Sequence, residues 1–125
     1  MEKTIAIKML ESKKIAYEFF EYDATGETTG LEIADMLNED PNQVFKTLVT
    51  VGKSNKNYVF VVPVNKELDL KKAAKCTNEK YIEMIKSKDL LATTGYIHGG
   101  CSPIGMKKAF PIFIDESIKM FSEII

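Results

Sequence analysis

A chain of 125 residues, 45% hydrophobic and 28% charged, reads as one globular domain that can bury a core without disulfides or metals. No apolar run approaches the ~20 residues that span a bilayer, and the N-terminus lacks the basic-then-apolar plan of a signal peptide. A net charge of −1 argues against a dedicated nucleic-acid binder, DNA included.

The charge is unevenly placed. Residues 1–45 carry 4 lysines against 10 acids, residues 46–108 carry 12 against 5, and residues 109–125 carry 1 against 3. A basic middle can receive a phosphate-bearing ligand, although lysines also simply solvate exposed faces. All 17 basic residues are lysine, so bidentate guanidinium recognition of phosphate or guanine is excluded. Cys76 and Cys101 stand far apart in no CxxC or Cys/His pattern, which argues against a zinc site and fits a reducing cytoplasm.

In chain order, Thr4 to Lys14 reads as a helix with Ile5, Met9 and Leu10 on one side. Ile15 to Tyr22 is aromatic and β-branched, hence a strand. Thr29 and Glu32 have capping-box spacing ahead of a helix to about Asn38. Asp40-Pro41 offers an N-cap and an N1 proline for a short helix leading into Phe45. Thr47 to Val51 and Tyr58 to Val64 form a hairpin around a polar loop. The unbroken apolar run Val59–Val62 marks a strand covered on both faces, and Pro63 marks its end. Asp69 caps a helix through Lys75. Tyr81 to Ile85 fits either strand or helix and is read as a strand, Ser87 as the cap of a helix through Ala92, and Pro111 to Ile114 as a strand. The apolar end, Phe121 to Ile125, either docks as an edge or calls for further chain. With one clear hairpin among mixed elements, the class is α/β or α+β around a mixed sheet.

Chemistry concentrates in residues 94–108, which hold four of the seven glycines, the single histidine, His98, and Cys101. Bare backbone at Gly99, Gly100 and Gly105 lets main-chain N–H groups close on a ligand; an ordinary Gly-Pro turn is the alternative. Lys46, set among Val44, Phe45, Leu48 and Val49, is placed where desolvation lowers its pKa and a nearby anion restores its charge. It then serves as a base, or as a clamp on a carbonyl oxygen or phosphate; a lysine snorkelling over Phe45 is the bland alternative. No serine or cysteine stands at a triad spacing, and nothing evident activates Cys101. Tyr22 presents a hydroxyl to a pocket or serves as a core aromatic.

Phe45-Lys46-Thr47-Leu48, taken with Gly95-Tyr96, Gly99-Gly100, Ser102-Pro103, Gly105 and Lys107-Lys108, resembles the YbaK family of trans-editing domains, which are related to the insertion domain of prolyl-tRNA synthetase. The resemblance runs from about Thr4 to Ile125. It implies a mixed β-sheet closing into a barrel flanked by helices, and a deacylase of mischarged aminoacyl-tRNA. The implied substrate is the 3′ end of Cys-tRNA(Pro), cleaved in the cytoplasm in cooperation with prolyl-tRNA synthetase, with no metal and no cofactor. Lys46 takes the place of the family's key lysine, with Thr47 beside it. Gly99, Gly100, Ser102, Pro103 and Gly105 take the place of the ester-holding loop, and Tyr22 that of the pocket tyrosine. The resemblance also implies a route in which the substrate's own thiol attacks its ester. Two departures stand out: Thr29 replaces a common aromatic, and family members continue past Ile125 into a turn, strand and helix that this 1–125 domain does not include. Deacylation of Ala-tRNA(Pro) or of tRNA carrying another small amino acid, or non-catalytic binding of tRNA or synthetase, are the alternatives within the same fold.

Overall fold

The computed structural model describes residues 4–18, 29–97 and 101–125. Its centre is the hairpin read from the sequence. β1 (Phe45–Gly52) and β2 (Asn57–Pro63) pair antiparallel, with Lys46 opposite Val62, Leu48 opposite Phe60 and Thr50 opposite Tyr58. Val59, Phe60, Val61 and Val62 are all buried, Val59 completely, because helices cover both faces of this pair. β3 (Ile82–Met84) adds antiparallel to β1, and β4 (Ile112–Ile114) adds parallel to β2, giving the order β3-β1-β2-β4. The sheet is mixed, as expected.

Two crossovers cover it. β2 and β3 are both antiparallel to β1, so α3 (Leu70–Thr77) between them must run back against their direction. Its Ala73 and Ala74 pack on Tyr58, Phe60 and Ile82 with Leu48 and Phe113. Phe113 stacks on Phe60 with ring centroids 5.3 Å apart. On the opposite face, Leu90 of α4 (Ser87–Thr94) packs on Val49 and Val59. Strand alternation sends neighbouring side chains to opposite faces, which is why one valine-rich hairpin serves two cores. A third cluster joins Ala34 of α2 (Gly30–Met36) to Val44 and Val64.

Local caps agree with the sequence. Thr29 Oγ1 accepts from Glu32 N at 3.2 Å, Asp69 Oδ1 accepts from Lys71 N and Lys72 N at 3.1 Å each, and Thr4 caps α1 (Ile5–Ser12). Other expectations are corrected. Among the described residues the sheet does not close into a barrel: β3 and β4 are opposite edges of only three residues each, and closure requires the edges to meet in register. Residues 15–18 are not strand, and the rest of that expected element lies outside the described residues. Asp40-Pro41 opens a turn rather than a helix. Gln43 N bonds Asp40 O, and Phe45 N is already taken by the carbonyl of Ile125 at 2.8 Å. The apolar end thus docks by main-chain bonds to Gln43 and Phe45 and by Ile125 packing on the Ala34 cluster. Ser87 is the first residue of α4 and not its cap, which is Lys86 without a side-chain bond; the helix continues to Thr94.

Glu79 latches the hairpin tip to the end of α3. Its carboxylate accepts from Tyr58 Oη at 2.6 Å, from Ser54 N at 3.1 Å and from Ser54 Oγ. Gly52 leaves the room, since a Cβ there would lie 2.4 Å from Glu79 Cδ. The Ser54 hydroxyl first, then Tyr58 and the Ser54 amide, hold this carboxyl below its ordinary 4.5, against the pull of desolvation. A carboxyl depressed on folding adds stability that is present above its unfolded value and lost as pH falls through the folded one. The thermal midpoint should therefore drop on acidification from about pH 5 to about pH 3, and Glu79→Gln should flatten that drop. Equal slopes in the two proteins would contradict the latch.

Candidate active site

Lys46 and Thr47 sit at the start of β1, half-buried. Register gives them different faces. Lys46 lies with Leu48, Phe60 and Val62 on the α3 side, and Thr47 lies with Val49, Val59 and Val61 on the α4 side. Among the described residues, no hydrogen bond or ion pair engages the Lys46 ammonium.

The loop after α4 is built from a buried hydroxyl. Thr94, completely buried, donates from Oγ1 to Leu90 O at 2.9 Å and accepts from Tyr96 N at 3.1 Å. Between them Gly95 turns left-handed at φ 84° and sends its N–H to Leu91 O, a helix ending that glycine adopts without strain. Lys107 N returns to Thr94 O at 3.0 Å, closing the loop at its base. Across the loop, Tyr96 Oη donates to Ile104 O at 2.5 Å, and Ser102 Oγ accepts from Ile104 N at 3.1 Å. Burial, then the nearby Cys101, raise the tyrosine's pKa, while a Ser102 hydrogen bond lowers it; the phenol is kept as a donor. Cys101, Met106 and Phe110 anchor the loop on Val49 and Val59.

Gly105 adopts φ 76°, and a Cβ there would come within 2.6 Å of Ile5 Cγ2 and 3.2 Å of Met9 Sδ. Only glycine lets α1 lie this close. Beside that contact opens a cleft of about 390 Å³, lined by Ile5, Met9, Pro103, Gly105, Met106, Lys108 and Phe110 among others. It is apolar apart from exposed main chain and Lys108, and its volume is within the range of small-ligand pockets.

The structure thus brings Ser102, Pro103 and Gly105 into one braced loop, on the side of the sheet that Thr47 faces. Lys46 is three residues from Val49 along β1, roughly 10 Å at ~3.3 Å per residue, and on the other face. Tyr22, Gly99 and Gly100, with His98, lie outside the described residues. Desolvation pushes the Cys101 thiol up, with only a partial offset from Thr94 at 3.8 Å. A protonated thiol is a poor nucleophile, in line with the sequence reading. Thr94 was missed from sequence; its signal was a threonine directly ahead of Gly95-Tyr96, a place where a helix must end.

A model of the family described as the aminoacyl-tRNA editing domain matches residues 25–125. The chain belongs to that family. An editing-domain relative in Enterococcus faecalis, assigned the name Cys-tRNA(Pro)/Cys-tRNA(Cys) deacylase EbsC, is 47% identical over 125 residues, which is 99% of this chain and 76% of that protein. A structure assigned as a trans-editing enzyme for prolyl tRNA synthetase matches with TM-score 0.70 and 28% identity over 77% of this chain and 60% of that one. A chain solved in work on epitope backbone grafting by computational design matches with TM-score 0.82 and 26% identity, covering 96% of this chain and 75% of its own. The family resemblance seen in the sequence is borne out, and with it the mixed α/β architecture.

Within this editing domain, Tyr96→Phe removes one donor to Ile104 O, a loss of about 1 kcal/mol. The loop should open about fivefold more often, read as faster labelling of Cys101 by a thiol reagent with the fold intact. An unchanged labelling rate would show that the brace does not hold the loop.

Proposed function

We propose that this chain is a deacylase that hydrolyses the ester of mischarged aminoacyl-tRNA, acting in trans to prolyl-tRNA synthetase on Cys-tRNA(Pro). Membership of the editing-domain family and the 47% identity to a protein named for that substrate support the reaction. The geometric observation that carries the assignment of the site is the braced glycine loop beside an apolar cleft. An aminoacyl ester is already activated, so a site has only to orient it and to stabilise the oxyanion that forms at its carbonyl. Main-chain N–H groups held in place beforehand do this without reorganising during the reaction.

In this reading Gly99, Gly100, Ser102, Pro103 and Gly105 hold the ester, with Thr47 on the loop's side of the sheet, and Tyr22 contributes the hydroxyl that the family resemblance assigns to it. The cleft receives the aminoacyl end. In this reading the substrate's sulfur attacks its own carbonyl carbon, the C–O bond to the ribose breaks, and the thiol proton passes to the leaving ribose oxygen. Water then opens the cyclic thioester. No protein nucleophile is required, in keeping with a half-buried Cys101 whose thiol desolvation pushes up. Lys46, on the face away from the loop, is better placed to hold the phosphate of the terminal nucleotide than the ester itself, and it does so as a charged clamp.

Lys46→Ala should lower kcat/KM for Cys-tRNA(Pro) by about tenfold to a hundredfold, the worth of one charge-assisted hydrogen bond of ~1.5–3 kcal/mol, with an unchanged melting midpoint. Cys101→Ala should retain wild-type turnover in the same assay. An active Lys46→Ala protein removes the lysine from the site, a folded but inactive Cys101→Ala protein restores the thiol as nucleophile, and release of neither Cys nor Ala from tRNA(Pro) by the wild type rejects deacylation.

A further inference from the structure

The exposed face of α3 is basic without local compensation. Lys71, Lys72 and Lys75 point away from the core that Ala73 and Ala74 enter, and the helix carries no acid. Of the flanking acids, Asp69 is engaged by the amides of Lys71 and Lys72 and Glu79 by Ser54 and Tyr58, while Glu67 is exposed before the helix and pairs with none of the three lysines. Among the described residues no hydrogen bond or ion pair engages the three ammonium groups. Lys71 and Lys75 stand one helical turn apart, about 5.4 Å, a like-charge i,i+4 pair that weakens a helix unless something anionic answers it.

Placement gives the patch a direction. The C-terminal end of α3 is tied to the hairpin tip through Glu79 and Tyr58. Because α3 runs back along the sheet between two parallel strands, its first turn lies toward the opposite end, where Lys46 pairs with Val62. Lys46 occupies the same sheet face, so four unanswered ammonium groups share one side of the molecule, with the loop and its cleft on the other.

We propose that the α3 face of Lys71, Lys72 and Lys75, continuing to Lys46, is the surface on which the acceptor-stem phosphates of tRNA lie. This rests on the reading above that the substrate is an aminoacyl-tRNA. Compact ammonium groups without arginine contact phosphates as point charges and read no base. The surface therefore sets affinity for the RNA body while the loop acts on its end. Such binding releases counterions, so its strength falls with salt in proportion to the phosphates neutralised.

The test uses the intact protein and the triple variant Lys71→Ala/Lys72→Ala/Lys75→Ala, which keeps the main-chain caps and favours helix. Deacylation is followed at several salt concentrations on Cys-tRNA(Pro) and on a cysteinyl ester of adenosine, and binding of uncharged tRNA(Pro) is measured alongside. The variant should show a KM for Cys-tRNA(Pro) raised about tenfold and a salt slope of log affinity shallower by about 2–3, with kcat unaltered and the adenosine ester cleaved at the wild-type rate. Rates for both substrates lowered together would place the lysines' effect in packing and overturn the surface. Unchanged KM and slope for tRNA overturn the surface. If the wild type cleaves neither ester, deacylation fails on its own, and tRNA binding decides: a shallower slope in the variant upholds the surface, whereas equal slopes, or no tRNA binding by the wild type, reject it.

Discussion

The structure depends on one constraint: the β1–β2 hairpin is buried on both faces. Val59 has no exposed surface, and its neighbours along β2 alternate between a core under α3 and a core under α4. Strand alternation then sorts everything attached to β1 into two compartments. Lys46 follows Leu48 and Phe60 to the α3 side, and Thr47 follows Val49 and Val59 to the α4 side. A single-residue slip in register would exchange them. Ladder bonds from Phe45 opposite Pro63 to Val51 opposite Asn57 exclude that slip.

On the α4 side the chain builds more than a plain turn. It spends a fully buried threonine hydroxyl and a tyrosine phenol on holding glycine-rich backbone, and uses Gly105 to bring α1 against the loop. The ties at Lys107 and Tyr96 are the support we propose for main-chain donors at the ester, since dipoles held in place beforehand are the effective ones. On the α3 side the described residues present exposed lysines, Lys71, Lys72 and Lys75, with no hydrogen bond or ion pair on their ammonium groups. We propose a division of labour between the two sides, one acting on the ester and the other receiving the phosphates.

Much of this was legible in the sequence wherever the signal is local. The hairpin, the Thr29 capping box and the Asp69 cap are decided within a few residues, and all appear as read. The concentration of glycines marked the loop, because composition reports where backbone must be bare. What failed was non-local. Asp40-Pro41 suits a turn as well as a helix start, and only the pairing of Phe45 with Ile125 decides between them. Barrel closure depends on edge strands meeting, which no short window encodes. Ile15 to Tyr22 had β propensity, yet residues 15–18 take no strand partner, since propensity yields to tertiary context. The opposite facing of Lys46 and Thr47 was implicit in their adjacency. Which face the loop covers was not.

The most direct measurement is amide and lysine side-chain NMR during titration with a non-hydrolysable cysteinyl-adenosine amide, with and without a 5′-phosphate. Both ligands should shift Thr47, Ser102 and Gly105, whereas the Lys46 ammonium should respond only to the phosphorylated one. Equal responses of Lys46 to both, or loop amides that do not move with either, would contradict the separation of ester and phosphate across the two faces of β1.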